Sequence, residues 1–244
     1  MRAIDAEHYW ISARFERREG WDEGVYPFNL PVVRYLDELT FHPKVTFLVG
    51  ENGAGKSTLI EALAVAWGFN AEGGSGNFNF ATRASHSDLH SFVRPVRSTK
   101  RAKDGFFLRA ESLFNVATEV EALGVRGYGD RSLHEQSHGE SFLALMDHRF
   151  RGQGLYILDE PEAALSPNRQ LSFLVRMHEL IGQRSQFIIA THSPIILGYP
   201  DAWIYQASQD GLMRIDYEDT DHFQVTRGFL NHRQAMLDTL LSDA

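Results

Sequence analysis

Short apolar runs and amphipathic stretches alternate along this chain. Tyr9 to Phe15 predicts a first strand, followed by a loop carrying Gly20, Gly24, Pro27 and Pro31. Lys44 to Val49 is an apolar run of strand length and predicts a buried strand. Ser57 to Trp67 places apolar residues at helical spacing among strong helix formers and predicts a helix. The pattern then changes over residues 70–105. Glu72 to Asn77 is turn-rich and Arg94 to Lys103 is basic, so this stretch reads as surface loops with short elements rather than core. Helical periodicity returns over Glu111–Leu123, breaks over Gly124–Gly129, and resumes after Gly139 through Phe142–Met146.

Leu155–Leu158 and Phe187–Ala190 are apolar runs that predict two more buried strands. Between them, Pro167 to Ile181 predicts a helix with Leu171, Leu174, Val175 and Leu180 on its apolar side. Trp203–Gln206 and Leu212–Ile215 flank Asp210-Gly211 and predict a hairpin. A last helix is expected over His232–Leu241. Strands alternating with helices predict an α/β fold, a largely parallel sheet with helices on both faces. There is no internal repeat and no heptad run.

Composition narrows the picture. A length of 244 residues favours one large α/β domain with a sizeable core. The absence of cysteine excludes disulfides, thiol catalysis and thiolate metal sites, and agrees with a reducing cytoplasm. The first residues carry charge where a secretory leader needs an apolar stretch, and no apolar run approaches the ~20 residues of a membrane span. The expectation is a cytoplasmic protein without membrane insertion.

A net charge of -8 works against binding of nucleic acid or an anionic membrane by bulk electrostatics. One local run opposes that balance: Arg94, Arg97, Lys100, Arg101 and Lys103. Such a run is ordinarily a solvated loop; its functional reading is a track for a phosphate backbone. The neighbouring pair Phe106-Phe107 reads as core rather than as a base-stacking platform.

The chemistry begins at Gly50-Glu51-Asn52-Gly53-Ala54-Gly55-Lys56-Ser57, which fits the phosphate-loop pattern G-x-x-x-x-G-K-[ST] between a strand and a helix. Gly50, Gly53 and Gly55 let the backbone wrap closely and turn its N–H groups inward. The helix beginning near Gly55 adds the positive end of its dipole. Lys56 reaches the β- and γ-phosphates of a nucleoside triphosphate, and the Ser57 hydroxyl serves Mg²⁺. Asn52, Ala54 and Thr58 complete the assigned nucleotide-binding loop.

Leu155 to Glu160 is a buried strand ending in two acids, at the sheet edge where α/β proteins place ligands. Asp159 is assigned to Mg²⁺ and Glu160 to polarising a water for attack on the γ-phosphate. Thr191-His192 ends another strand, and His192 is a candidate γ-phosphate contact. His86 and His90, at i,i+4, sit among Ser and Asp residues that favour a loop over a helical metal site. Tyr9, Trp10 and Tyr35 are candidates to stack on adenine.

Five motifs follow in order: the phosphate loop, Ser137-His138-Gly139-Glu140-Ser141, Leu158-Asp159-Glu160-Pro161, Ala164-Leu165-Ser166 and Thr191-His192-Ser193. Together they resemble the ABC-type ATPase superfamily over residues 40–200. The wording of the phosphate loop and of Asp159-Glu160-Pro161-Glu162 is most similar to the soluble SMC and RecF-like branch, and to its compact stand-alone ATPases. The resemblance implies a P-loop fold with a mixed sheet, flanking helices and a small helical signature lobe within 70–150, all in a single domain over 1–244. It also implies a head-to-tail homodimer with two ATP molecules between subunits. Ser137 and Gly139 of one subunit would cap the γ-phosphate held by the other; Glu160 would be the general base and His192 the γ-phosphate sensor.

The chain departs from the family in three places. His138 and Glu140 replace a glycine and a glutamine of the usual signature. No glutamine lies between Thr58 and Gln136 to supply the family's Mg²⁺-contacting glutamine. Ser166 stands where an aspartate is usual. Three functions follow as expectations: an ATP-driven switch acting on DNA or a protein partner, the nucleotide-binding subunit of a transporter, and an ATP-binding module with little hydrolysis. The stretch between phosphate loop and signature is too short for a long coiled-coil arm.

Overall fold

The structure is a computed structural model that describes residues 8–71, 73–74, 87–109 and 138–242. Among these, the strands form two sheets. β1 (Trp10–Phe15) is the centre of a small antiparallel sheet with β2 (Glu38–Thr40) on one side. β3 (Val45–Gly50) belongs to the large sheet, whereas β4 (Val93–Arg97) returns to pair with β1. β5 (Asp104–Arg109), β6 (Gly154–Asp159), β7 (Gln186–Ala190), β8 (Trp203–Ser208) and β9 (Gly211–Ile215) complete the large sheet. Its order is β5-β6-β7-β3-β8-β9, parallel throughout except for the antiparallel β9 edge.

The helices are α1 (Pro31–Arg34), α2 (Lys56–Trp67), α3 (His138–Arg149), α4 (Pro167–Gly182), α5 (Pro194–Leu197), α6 (Asp221–Asn231) and α7 (Arg233–Leu241), with a 3-10 turn at Asp88–Phe92. The central strands are buried on both faces, so their sequence reads as unbroken apolar runs rather than alternation. Alternation governs which face each side chain takes. Leu48, Leu155, Ile157, Ile188 and Phe107 join the core under α2 and the small sheet. Phe47, Val49, Tyr156, Leu158, Phe187 and Ile189 join the core on the opposite face, with residues of α3, α4 and α5.

Pairing register brings the site to one edge. Leu48 of β3 and Asp159 of β6 both lie opposite Ala190 of β7, and Arg109 of β5 lies opposite Asp159. The ends of four strands therefore converge where the phosphate loop leaves β3. A buried amide joins the two sheets: Gln186 Oε1 accepts from the Tyr9 and Trp10 N–H groups at 3.0 and 2.9 Å. Its Nε2 donates to the Trp10 and His42 carbonyls at 2.9 and 3.0 Å.

Most expected elements are present, with four corrections. Residues 70–105 are not merely surface loops: Leu89, Phe92 and Val93 are buried in the core, Arg94–Arg97 lie in β4, and β5 begins at Asp104. A strand that is paired can still carry exposed arginines, here Arg94 and Arg97, so charge alone does not make a loop. On α4 the buried residues are Gln170, Phe173, Met177 and Leu180, while Leu171 and Val175 face solvent. Two candidate adenine platforms are core residues: Tyr9 and Trp10 are buried, Trp10 stacking with Trp67 at 5.0 Å. Helix α6 was not expected; its apolar residues are exposed or half-buried, and so gave no buried stripe to find.

Phe106 and Phe107 are core, as expected. The predicted helix over Glu111–Leu123 and residues Gln136-Ser137 lie outside the described residues.

Candidate functional site

The phosphate loop is shaped by two glycines that no other residue could replace without strain. At Gly50 φ is 147°, and a Cβ would lie 2.7 Å from the Ala207 carbonyl oxygen of the neighbouring strand. Gly55 is the left-handed N-cap of α2, where a Cβ would lie 2.8 Å from Val32 of α1. Asn52 and Gly53 are exposed at the open side, and Ala54 sits half-buried.

Lys56 opens α2 and is itself buried, its Nζ donating to the Gly50 and Glu51 carbonyls at 2.8 Å each. Burial pulls its pKa down, against the upward pull of Glu160, Asp159 and Glu162. Three carboxylates around one ammonium make this the charge centre of the site.

Ser57 Oγ donates to Asp159 Oδ1 at 3.3 Å. The other oxygen of Asp159 faces the Arg109 guanidinium, Nε to Oδ2 3.5 Å, and Arg109 in turn donates to Glu61 of α2 at 2.7 Å. Neither Arg109 nor Glu61 carries a motif, so sequence reading passed over both. They orient Asp159 so that Oδ1 turns toward Ser57. A hydroxyl beside a carboxylate, with room for phosphate oxygens and water, is a fitting pair of hard oxygen donors for Mg²⁺.

Glu160 follows directly, at φ 52° and ψ 53°. A non-glycine residue in this left-handed region costs on the order of 1 kcal/mol, more so before a proline. The turn lifts the carboxylate off the strand while the Glu160 N–H still donates to Ala190 at 2.9 Å. His192 Nε2 stands 3.4 Å from Glu160 Oε1. Its Nδ1 lies 3.1 Å from Nε2 of His222, the second residue of α6. The arrangement is satisfied when His222 donates to His192 Nδ1 and His192 carries its own proton on Nε2, toward Glu160. Burial lowers both histidine pKa values, and the Lys56 charge lowers them further. Glu160 pulls His192 the other way, and His222 adds to the lowering.

Glu162 is a further acid without an assigned role in the sequence reading. It accepts the His192 backbone N–H, and burial raises its pKa. His222 and Glu162 thus hold the ring and the backbone of one histidine. Thr58 Oγ1 lies 3.1 Å from the hydroxyl of Tyr26, an exposed ring on the loop before α1. Tyr35 is also exposed, whereas Tyr9 and Trp10 are enclosed.

The signature residues are in part described. Gly139 is buried in α3, where a Cβ would lie 2.7 Å from the Ala164 carbonyl of its own chain. Its smallness lets α3 sit against the loop after Glu160. Glu140 pairs with Arg169 of α4 at 2.9 Å. Ser166 is the exposed N-cap residue of α4. Ser137 and His86 lie outside the described residues, and the ring nitrogen Nδ1 of His90 sits 3.1 Å from the Ser87 carbonyl. Among the described residues no cluster of three or more metal-ligating side chains occurs, and no helix is long and apolar enough to cross a membrane.

This fold and this loop define a nucleotide-binding P-loop domain. Two family models match parts of the chain: "AAA domain" over residues 30–118, and "AAA domain, putative AbiEii toxin, Type IV TA system" over residues 89–198. The cytochrome c biogenesis ATP-binding export protein CcmA of Paracoccus denitrificans is 28% identical over 160 residues, 65% of this chain and 73% of that protein. The structure of CbiO1 from Clostridium perfringens, part of the ABC transporter complex cbiONQ, aligns with a TM-score of 0.54 at 15% identity. That alignment covers 93% of this chain and 98% of CbiO1. An SMC head domain from Thermotoga maritima aligns with a TM-score of 0.43 at 17% identity, over 73% of this chain and 93% of that one. The chain is therefore similar to AAA and ABC-type ATP-binding domains over these segments, on a P-loop fold.

Proposed function

We propose that this domain binds and hydrolyses Mg-ATP, and that two copies close head-to-tail around two nucleotides as a cytoplasmic switch acting on DNA or a protein partner. The observation that carries the reading is convergence. Lys56, the Ser57–Asp159 pair, Glu160 and His192 come from three strand ends and meet at one sheet edge.

Lys56 binds the β- and γ-phosphates in place of the two carbonyls it now touches. Ser57 and Asp159 would hold Mg²⁺, which when bound spreads the phosphate charge. Glu160 takes a proton from the attacking water as its oxygen bonds to the γ-phosphorus, and the bond to the β-phosphate oxygen breaks to release ADP. His192 donates Nε2–H to a γ-phosphate oxygen, and His222 keeps that nitrogen protonated by donating to the other one. Tyr26 and Tyr35 are the exposed rings available to adenine. Ser137 and Gly139 are proposed to reach the partner's γ-phosphate.

A second reading is a transporter's nucleotide-binding subunit, favoured by the named roles of CcmA and CbiO1. The missing glutamine between Thr58 and Gln136 and the SMC-like wording of the motifs favour the first.

The solution mass of Glu160→Gln, with and without Mg-ATP, tests the switch beside wild-type phosphate release. ATP-dependent doubling of mass is expected. Bound nucleotide with an unchanged mass would sink the dimer, and wild-type turnover by Glu160→Gln would sink the base assignment.

A further inference from the structure

The opposite edge of the large sheet holds a cleft of about 1290 Å³. It lies where β5 and β6 begin, one strand length, roughly 20 Å, from the phosphate site. Its walls come from three separate segments: the end of α2 with Trp67 and Phe69, the turn from Arg97 to Gly105, and the link from Arg149 to Gln153. Parallel pairing of Asp104 with Gly154 brings the last two together.

Charge distinguishes this cleft from the rest of an acidic chain. Six cations line it, Arg97, Lys100, Arg101, Lys103, Arg149 and Arg151, against one carboxylate, Asp104. That carboxylate is fully engaged. It accepts from Arg149 at 2.8 Å, from the Arg151 N–H at 3.0 Å and from the Tyr156 hydroxyl at 2.8 Å. Arg149 is therefore neutralised, and Arg97 caps α2 by donating to the Trp67 carbonyl at 2.7 Å. The side chains of Lys100, Arg101, Lys103 and Arg151 are exposed and have no carboxylate partner among the described residues. Arg94, earlier grouped with this run, leaves it: it pairs with Glu16 at 3.1 Å and does not line the cleft.

Helix capping accounts for Arg97, and the Asp104 ion pair accounts for Arg149. They do not account for four unpaired cations drawn from two segments and facing one concavity. Like charges so placed repel one another and are best compensated by a polyanion. The guanidinium carbon of Arg97 lies 4.3 Å from the half-buried Trp67 ring centroid, giving a cationic flat surface beside the unpaired charges. Bases stack on such surfaces, whereas acidic side chains do not. The volume exceeds that of an ordinary small-molecule pocket, about 300–1,000 Å³. A duplex carries its phosphates on a convex cylinder and would meet only the rim. A flexible single strand can enter.

From these features we infer that the cleft binds single-stranded nucleic acid, with Lys100, Arg101, Lys103 and Arg151 on its phosphates and Arg97–Trp67 beside a base. The inference goes beyond the ATPase reading and stands on different residues.

The test is anisotropy of a labelled oligothymidylate of about 15 nucleotides with the full chain, from about 50 to about 200 mM salt. Four phosphate contacts predict a slope of log affinity against log salt of roughly -3. Lys100→Glu with Arg101→Glu is expected to weaken binding about tenfold or more and to flatten the slope by about 1 to 2. Arg151→Glu, from the other segment, is expected to weaken it as well. Unchanged ATP-analogue affinity confirms that each variant is folded, and the milder Lys100→Gln with Arg101→Gln should lie between. Lys56→Ala should keep the oligonucleotide affinity, which separates a failure here from a failure of the ATPase reading. The inference is overturned if wild type does not bind at low salt or if the reversals change nothing. It is equally overturned if duplex DNA or polyglutamate competes better than unlabelled oligothymidylate.

Discussion

The two edges of the large sheet are built in opposite ways. At the edge where the parallel strands end, each proposed site residue lies at or within a few residues of a strand end: Lys56 and Ser57 across the loop after β3, Asp159 and Glu160 at the end of β6, His192 two residues after β7. At the edge where they begin, the cations come from two segments far apart in sequence, Arg97–Lys103 and Arg149–Arg151, and none belongs to a motif. The first edge collects oriented groups around a defined charge centre; the second collects charge in a broad concavity. Chemistry that must position a water and a phosphate needs strand ends fixed by register. Chemistry that only tracks a backbone tolerates loops.

Substitutions can separate the two edges. Glu160→Gln should carry the largest effect, a fall in turnover of about a thousandfold with nucleotide affinity kept. Lys56→Ala should lose binding and turnover together. Steady-state kinetics beside nucleotide titration distinguishes these outcomes, and equal behaviour of both variants would contradict the division of roles. Next in size is the Lys100→Glu, Arg101→Glu pair, expected to cost about tenfold in oligonucleotide affinity while leaving basal phosphate release unchanged. A matching loss of basal turnover would mean that the edges are not separate sites.

The smallest effect is expected from His222→Gln. His192 has a depressed pKa, so it is neutral at neutral pH and takes a proton only below the ordinary histidine range. The stability its burial permits is complete above the unfolded value near 6.5 and is lost as pH falls through the folded value. Removing His222 takes away one of the influences lowering that pKa. The acid limb of the rate profile should move upward, with a few-fold loss near pH 6 and little change near pH 8. An acid limb that stays in place would remove His222 from the site.

Legibility in the sequence follows the same division. β3, β6 and β7 announce themselves as apolar runs because both faces are buried, and the groups at their ends come with them. β4 was hidden because two exposed arginines and a proline in five residues made a paired strand resemble a loop. On α4, Leu171 and Val175 suggested a face that the buried Gln170, Phe173 and Met177 contradict, since a satisfied glutamine can occupy core where a leucine need not. Arg109, Glu162 and His222 act through contacts between distant segments, which spacing along one chain does not encode. Arg149 and Arg151 joined the basic run only through the pairing of β5 with β6.

Gln186 gives the two sheets a shared fate in unfolding. Its one amide holds backbone groups of Tyr9, Trp10 and His42, so β1 cannot fray while β7 stays intact. The Tyr9 and Trp10 amide protons should therefore exchange with solvent at the slow rate of the central strand, although Trp10 opens a strand of a sheet of only three strands and Tyr9 lies just before it. In Gln186→Leu, with those groups left unpaired at a cost of about 3 kcal/mol, native-state hydrogen exchange should resolve the small sheet as a unit that opens on its own.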